Sequence, residues 1–246
     1  MRKNGEGAPG ASGEQRRGVG RPRGRVLSRQ LILETGLRLI DERGESGAGM
    51  RAIAQELGVR PSSLYNHVSG RDELVAGIRE LISDRIDVAC FDRLPWDRAL
   101  ERWADSYRAA FAAHPPTIAL LATASLTPDS RTSFMYDAVV AALVRAGWPE
   151  ARALSVIVAV ESFLLGAALD AAAAPDMLDP GSRTDVPAFS SAYAARERAL
   201  AAGAGGRAGA GGGSGTGRPA DEAYRVGIAA MIAGLRVEFE ALRPGR

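Results

Sequence analysis

Apolar positions recur at helical spacing from residue 28 onward, and no segment alternates between apolar and polar residues as a strand does. Leu33, Leu37 and Ile40 are separated by four and three positions, which places them on one face of a helix. The hydroxyl of Ser28 is well placed to cap that helix. The pattern therefore predicts an all-α protein whose first helix covers residues 28–43.

Three more helices are predicted before Leu94 and Pro95 interrupt the pattern. Gly58 separates the first two of them, and Ser69 and Asp72 have the spacing of a capping box at the start of the third. These helices cover residues 50–57, 61–68 and 71–89.

Longer helices follow the break, and a glycine-rich segment interrupts them. Residues 203–217 contain nine glycines in fifteen positions, so we expect a flexible loop there. The last helix carries Val226, Ala230 and Val237 on one apolar stripe. The predicted helices cover residues 96–113, 117–123, 129–146, 149–174, 187–202 and 221–242.

Charge is distributed unevenly, although the net charge is only +2. Residues 1–25 are rich in Gly, Pro and Arg, and they hold seven basic residues against two acidic ones. Few apolar groups are present to offset the entropy of ordering, so we expect a disordered basic arm. Clustered basic charge of this kind favours DNA contact.

Composition also narrows the classes of function. The single cysteine, Cys90, excludes an intramolecular disulfide and a CxxC metal or redox motif. With two histidines far apart and no glycine-rich phosphate loop, an enzyme is the weaker hypothesis, and we expect no catalytic residue, cofactor or metal. No apolar run approaches the roughly 18 residues of a membrane span and no secretory signal is visible, so we expect a cytoplasmic protein without a membrane partner.

Residues 50–68 have the spacing of a helix-turn-helix. Ala54 is small where the second helix crosses the first, Gly58 accommodates a positive φ in the turn, and Leu64 supplies an inward anchor. Two ordinary surface helices are the alternative. The outward face of the second helix favours DNA, because it has hydrogen-bonding and aromatic side chains and no acidic residue. That face comprises Ser62, Ser63, Tyr65, Asn66 and His67, and Arg51 and Arg71 flank it.

The segment MRAIAQELGVRPSSLYNHVSGRDEL, after a first helix that ends in Arg-Gly, resembles the DNA-binding domain of the tetracycline-repressor (TetR) family. The run from Leu64 to Val68 is similar to the family's L-Y-x-H-V/F signature. PWDRALERWADSYRAAFAAHP, the Ala-rich helix through Leu165 and Gly166, and DEAYRVGIAAMIAGL resemble tetracycline-repressor C-terminal domains more weakly. The resemblance implies a homodimer that binds a palindromic DNA operator, usually as a repressor, and that a small-molecule effector releases.

The resemblance also implies roles for seven residues, which match DNA-contacting positions of the family. The implied base contacts fall at Arg51, Ser62, Ser63 and Asn66. The implied phosphate or base-edge contacts fall at Tyr65 and His67, and the implied phosphate contact falls at Arg71. Two-fold symmetry would place the recognition helices of a dimer ~34–36 Å apart, about one duplex turn or slightly more.

The sequence GRPRGR at residues 20–25 supports two interpretations of the arm. It is similar to an AT-hook, in which Pro22 keeps the chain extended while Arg21 and Arg23 enter a narrow minor groove. The alternative is a solvated tail that adds only nonspecific affinity. On the question of whether the arm reads DNA sequence, we favour this alternative. If the arm alone carried DNA binding, the whole chain would be a nonspecific architectural protein.

The helices after residue 96 exceed what a small DNA-binding domain requires, and the resemblance implies an effector-binding and dimerisation domain. The helix at 149–174 is apolar nearly all round, which indicates burial inside the domain or against a second subunit. With 221–242 it can form a four-helix bundle across a two-fold axis, while a simple monomer core is the alternative. The large effector-binding candidates are Trp103, Tyr107, Phe111, Phe134, Met135 and Phe163.

We expect a two-state mechanism, in which a ligand in the C-terminal half shifts the fourth helix and so changes the separation of the recognition helices. Tetracycline and magnesium are not expected, because the histidines that tetracycline repressor uses for drug and metal fall at Asp87 and near Ala122. The expected divisions are an arm at 1–25, a helix-turn-helix domain at 26–72, a linking helix at 73–95 and an effector-binding and dimerisation domain at 96–246.

Overall fold

The computed structural model describes residues 26–126, 130–205 and 218–242. These residues form ten α-helices and three 3₁₀ helices with no strand among them, so the predicted all-α fold class is confirmed for the described chain. The predicted arm with Arg21 and Arg23, and most of the predicted glycine-rich loop, lie outside the described residues. The α-helices are α1 (Arg29–Arg43), α2 (Met50–Glu56), α3 (Pro61–Leu64), α4 (Arg71–Ser83), α5 (Trp96–Ala112), α6 (Ile118–Thr123), α7 (Thr132–Ala146), α8 (Glu150–Asp170), α9 (Pro187–Gly205) and α10 (Pro219–Leu242). The 3₁₀ helices are Glu45–Gly47, Ala89–Asp92 and Pro115–Thr117.

Helices α1 to α3 pack around shared apolar side chains. Ser28 caps α1 as predicted, since its hydroxyl accepts a hydrogen bond from the backbone N–H of Leu31 at 3.2 Å. Each helix has one side held against its neighbours, which leaves the opposite side of α3 facing solvent. The buried residues of this domain include Ile32, Leu33, Leu37, Ile40, Ile53, Ala54, Leu64 and Val68.

Helix α4 connects that domain to the rest of the chain and is shorter than predicted. It begins at Arg71 as expected but ends at Ser83, and a non-helical turn precedes the 3₁₀ helix Ala89–Asp92. Ile86 continues the apolar spacing and is buried, although it lies in the turn. Apolar periodicity therefore extended the predicted helix past its true end.

The predicted capping box at the start of α4 has different members in the structure. Gly70, not Ser69, occupies the cap position and has no side chain to contribute. The carboxylate of Glu73, not of Asp72, accepts the backbone N–H of Ser69 at 2.7 Å. A carboxylate in the first turn thus accepts a backbone N–H from before the helix as expected, but from Glu73, one residue later than predicted.

Helices α5 to α10 form the larger, C-terminal domain, and α8 lies at its centre. Helix α8 packs against α5, α7 and α10. At one end of the domain, Trp96, Trp148 and Phe239 form an aromatic cluster whose ring centroids are between 5.1 and 5.3 Å apart. This cluster joins the start of α5, the turn before α8 and the end of α10.

Helix α8 is long and apolar enough to cross a bilayer by length and composition, contrary to the expectation that no segment would approach that limit. The central helix of a globular domain meets the same criteria. In α8, 44% of the apolar window is buried inside the molecule. Packing against three neighbouring helices therefore accounts for part of its apolar character.

The ends of the later helices differ from the prediction by a few residues. Helix α7 begins at Thr132, α8 ends at Asp170, α9 reaches Gly205 and α10 begins at Pro219. Helix termini are where side-chain periodicity is least informative, because the last turn has few packing partners.

Candidate functional site

The turn between α2 and α3 has the geometry that its sequence predicts. Gly58 adopts a φ of 65°, in the left-handed region that is unfavourable for residues with a side chain. The N–H of Val59 donates to the carbonyl of Ala54 at 3.0 Å and closes the end of α2. Ala54 and Leu64 are almost completely buried, so contacts on their inner sides hold the two helices together.

The segment after that turn is a shorter regular helix than predicted. Helix α3 covers Pro61–Leu64, and the N–H groups of His67 and Val68 both donate to the carbonyl of Leu64 at 2.9 Å. The chain therefore continues to Val68 as a hydrogen-bonded turn rather than as α-helix. Val68 is fully buried and fixes the end of this segment against the core.

Five residues predicted to face DNA lie along this segment. Ser62, Asn66 and His67 are exposed, and Tyr65 exposes 53% of its surface. Ser63 is half-buried. The segment contains no acidic residue, so nothing in it would repel a phosphate backbone.

Three arginines surround the segment. Arg51 is exposed near the start of α2, and no ion pair joins it to another residue in the described ranges. Arg71 forms an ion pair with Glu45 of the first 3₁₀ helix, and both side chains are about half exposed. Arg60, which the sequence analysis missed, is exposed at the cap position of α3. Its position immediately before the helix-starting Pro61 was the available signal.

A second candidate site is a cavity of about 150 Å³ between α4 and the C-terminal domain. Helices α4, α5, α6, α7 and α8 all contribute to its wall. Apolar and aromatic side chains form much of the lining, and a few polar groups converge on it, as in small-molecule sites. The lining includes Arg79, Ser83, Tyr107, Phe111, Leu121, Met135, Tyr136, Glu161 and Leu165.

Three of the six predicted effector-binding residues line this cavity. They are Tyr107 and Phe111 on α5 and Met135 on α7. The rings of Tyr107 and Phe111 stack with centroids 4.8 Å apart and planes 19° apart. Their spacing of four residues places both rings on the same side of α5.

The other three predicted effector-binding residues lie elsewhere. Trp103 is fully buried in the core, with its ring 5.2 Å from that of Tyr107. Phe134 is 74% exposed, because it precedes a cavity-facing residue on α7 and consecutive residues project from different sides of a helix. Phe163 stacks on Tyr224 of α10 at 6.1 Å.

Glu161 is a buried carboxyl on α8 that the sequence analysis did not single out. The hydroxyl of Tyr136 donates to its Oε2 at 3.2 Å, while its Oε1 has no hydrogen-bond partner among the described residues. Burial raises the pKa of Glu161 to about 7, and the hydroxyls of Tyr136 and Tyr107 and the charge of Arg79 oppose that shift only in part. An acidic residue in the middle of an otherwise apolar helix was the signal available in the sequence.

Arg79 connects α4 to the end of α6. Its guanidinium donates to the carbonyl of Leu121 at 2.6 Å, to that of Ser125 at 3.1 Å and also to that of Ala124. Leu121 lies in the last turn of α6, where backbone acceptors lack helical partners, and Ala124 and Ser125 follow the end of that helix. Arg79 therefore joins α4 to a segment that also lines the cavity.

The outer sides of α8 and α10 expose apolar residues. Leu154 and Val158 on α8, and Val226 and Val237 on α10, are each at least half exposed. The apolar stripe predicted on the last helix thus faces outward rather than into the domain. Exposed apolar residues on neighbouring helices are one feature of surfaces that another protein covers.

Reactive or metal-binding groups are scarce in the described chain. The thiol of Cys90 is buried, and burial raises its pKa to about 11, so it remains protonated at neutral pH. Residues 26–126, 130–205 and 218–242 contain no group of three His, Cys, Asp or Glu side chains that could hold a metal ion.

Comparison with protein families gives two matches along the chain. The family described as bacterial regulatory proteins, tetR family, matches residues 32–78. The family described as tetracyclin repressor-like, C-terminal domain, matches residues 93–239, more than half of the chain. The first match contains α2 and α3, and the second contains all of α5 to α9 and most of α10.

Among curated relatives, an uncharacterised HTH-type transcriptional regulator of Mycobacterium tuberculosis is 34% identical over 118 residues, which cover 44% of this chain and 52% of that protein. The HTH-type transcriptional repressor DrrR1 of Streptomyces coeruleorubidus is 26% identical over 148 residues, covering 58% of this chain and 53% of that protein. The chain thus spans about half the length of these relatives.

Solved structures resemble the whole fold. Apo ActR from Streptomyces coelicolor superposes with a TM-score of 0.65 at 22% identity, over 87% of this chain and 97% of that one. The same protein in complex with actinorhodin gives a TM-score of 0.61 at 22% identity, over 87% of this chain and 99% of that one. At this level of identity the likeness establishes a shared fold.

Proposed function

The chain belongs to the tetR family of bacterial regulatory proteins, and we propose that it is a ligand-responsive transcriptional regulator, a repressor, acting on DNA in the cytoplasm. In this proposal a homodimer binds a palindromic operator and a small molecule releases it. One of its relatives is described as a transcriptional repressor, and a structural neighbour is described in complex with a small molecule.

The observation that carries the proposal is the outer side of the α3 segment. Its hydrogen-bonding side chains are exposed, and the buried Ala54 and Leu64 hold its inner side. A short helical turn held in this way fits the major groove, where Ser and Asn side chains read base edges and Tyr and His reach phosphates. Arg51 and Arg60 flank it as exposed cations.

Selection of bound duplexes from a random pool tests this proposal. We expect a palindromic consensus, and we expect Arg51→Ala and Tyr65→Ala each to weaken its binding by roughly five- to a hundredfold, the range for a lost base or phosphate contact. Arg198→Ala, an exposed arginine on α9, is the matched control and should bind as the unmodified protein does. Unchanged binding by both variants would refute the assigned surface.

A nonspecific architectural protein is the second candidate, and the basic arm favours it. Competition with random duplex separates the two: a specific regulator retains its operator by orders of magnitude, whereas an architectural protein does not. Deleting residues 1–24 should reduce the salt dependence of binding, since fewer counterions are released. An unchanged slope would remove the arm from the interface with DNA.

The homodimer rests on the exposed apolar sides of α8 and α10. Val237 is 72% exposed, so a charged residue there is compatible with the monomer fold but not with an apolar contact between subunits. We expect Val237→Glu to be monomeric in sedimentation analysis. Val144→Glu on α7 is the control, because Val144 is exposed on another helix. A dimeric Val237→Glu protein would place the interface elsewhere.

The contacts of Arg79 support a release mechanism in which α6 and α4 move together. A ligand in the cavity lies beside α6, whose terminal carbonyls this arginine binds, and α4 leads directly from there into the DNA-binding domain. Ligand binding would shift the equilibrium between two positions of α4 only if the protein binds the ligand more tightly in one position than in the other. We expect Arg79→Met to bind ligand and DNA separately while losing much of the ligand-dependent release.

A further inference from the structure

The cavity contains an acceptor atom that no donor among the described residues reaches with hydrogen-bonding geometry, although the hydroxyl of Tyr107 also faces this carboxyl. Oε2 of Glu161 accepts from Tyr136, whereas Oε1 has no partner in the described part of the chain. The residue is only 8% exposed and lines the cavity wall. Because buried polar atoms in folded proteins are nearly always hydrogen-bonded, this oxygen marks the position of a missing donor.

The charges around Glu161 leave its carboxylate without an ion pair. Arg79 is the basic residue of the lining, but its guanidinium is occupied by backbone carbonyls at the end of α6, and no ion pair with Glu161 occurs in the described ranges. Tyr107 from α5 and Tyr136 from α7 are the other titratable groups facing it, and burial raises the pKa of both, so they remain neutral. An ionised Glu161 therefore lacks the close cation that buried carboxylates usually have.

The rest of the cavity limits the size and polarity of its occupant. Its volume of about 150 Å³ matches that of an engineered apolar cavity which binds benzene. Tyr107 and Phe111 form a stacked aromatic wall, and Met135 and Leu165 add apolar surface. Aromatic faces also attract cations through the ring quadrupole.

We propose that this cavity binds a compact hydrophobic amine, with the protonated nitrogen donating to Oε1 of Glu161 and a single ring, or an alkyl group of similar size, against the aromatic wall. The inference rests on the proposed function, because it names the chemical class of the effector for the same cavity. A neutral molecule of equal shape leaves the carboxylate without a cation, and an anion is repelled by it.

The test uses three single-ring probes that differ in one polar group: benzylamine, benzyl alcohol and benzoate. Each is titrated into the full-length protein by isothermal titration calorimetry at neutral pH. We expect benzylamine to bind in the millimolar range or tighter, at least about tenfold more tightly than benzyl alcohol, because its hydrogen bond involves two charged groups. Benzoate should not compete with it.

The variant Glu161→Gln keeps the shape of the side chain and removes its charge. We expect its affinity for benzylamine to fall at least about tenfold, so that amine and alcohol bind alike. Glu150→Gln on the same helix is the control, since Glu150 is exposed and far along α8, and it should bind as the unmodified protein does. If Glu161→Gln fails to fold, by circular dichroism, the three probes on the unmodified protein still decide the question.

Equal binding of amine and alcohol, preference for benzoate, or no benzylamine binding in the millimolar range would overturn the inference. Operator selection is measured separately. A protein that selects a palindrome but binds no amine keeps the proposed regulatory function and loses this inference. A protein that binds benzylamine through Glu161 but selects no duplex keeps the ligand assignment and loses the regulatory function.

Discussion

Both domains have an apolar core, but they differ in where polar and apolar groups depart from ordinary packing. In the N-terminal domain apolar side chains lie inside, and the polar residues proposed to meet DNA, such as Tyr65 and Asn66, lie outside. In the C-terminal domain a carboxyl, Glu161, lies inside, and apolar residues such as Val226 and Val237 lie outside. The residues proposed to act in the first domain lie on its surface and leave its core intact. Those proposed to act in the second domain are a buried carboxyl and exposed apolar side chains, which both depart from ordinary packing.

The largest expected effect comes from opening the core of the N-terminal domain. Leu64 is fully buried, and Leu64→Ala should lower the free energy of unfolding by about 2–5 kcal/mol. All three tryptophans, Trp96, Trp103 and Trp148, lie in the C-terminal domain, so tryptophan fluorescence reports that domain while circular dichroism reports every helix. If the domains unfold independently, Leu64→Ala should lower the denaturant midpoint of only part of the circular dichroism transition.

The matched control is Leu178→Ala, which removes the same group from a residue that is 48% exposed and should cost less than about 1 kcal/mol. A fluorescence midpoint that falls together with the dichroism midpoint would contradict independent domains. An unchanged dichroism transition in Leu64→Ala would contradict the buried anchor itself.

The next effect concerns the buried carboxyl of the C-terminal domain. The pKa of Glu161 is raised from 4.5 to about 7, so the folded protein binds its proton more tightly than the unfolded chain does. This stabilising contribution is present below about pH 4.5 and is lost as the pH rises through 7. The side chain of the Glu161→Gln variant does not ionise. When the pH rises from 5 to 8, the free energy of unfolding of the unmodified protein should therefore fall by about 2–3 kcal/mol relative to that of the variant. Denaturant titration at both pH values measures this difference.

Glu150→Gln provides the comparison for that experiment, because its carboxyl is exposed and its variant should follow the pH dependence of the unmodified protein. Equal pH dependence in Glu161→Gln and the unmodified protein would show that Glu161 is solvated in solution. The polarity contrast between the two domains would then be limited to the exposed apolar residues of α8 and α10.

The same contrast decides how much the sequence could predict. The turn was predictable because Ala54, Gly58 and Leu64 act within eleven consecutive positions, where spacing and glycine conformation are local properties. The cavity was predicted only in part, because residues from Arg79 to Leu165 meet there from five helices. Residue size identified Tyr107 and Met135 but could not separate cavity residues from the core residue Trp103 or from the outward-facing Phe134, and it gave no weight to Glu161.

Helix ends show the same limit on a smaller scale. Periodicity carried α4 past Ser83 because Ile86 keeps the apolar spacing while lying in a turn. It also carried the predicted helix at residues 61–68 to Val68, which is buried at the end of a hydrogen-bonded turn. In both places burial continued after the helix had ended, and burial is what the apolar pattern reports.

The smallest expected effect concerns a polar link between the domains. Asp41 on α1 lies 2.7 Å from Nδ1 of His114, and Nε2 of that histidine lies 3.0 Å from Arg85, just after α4. Asp41→Ala should therefore cost about 1 kcal/mol, the net value of a hydrogen bond that is partly buried. Because the lost contact joins α1 to the turn after α5, the dichroism and fluorescence midpoints should move further apart. Asp137→Ala, an exposed residue of α7, should leave their separation unchanged. If the dichroism and fluorescence midpoints were equally far apart in the two variants, the contact of Asp41 with His114 would not couple the domains. The domains would then be joined through α4 alone and would differ in stability as well as in polarity.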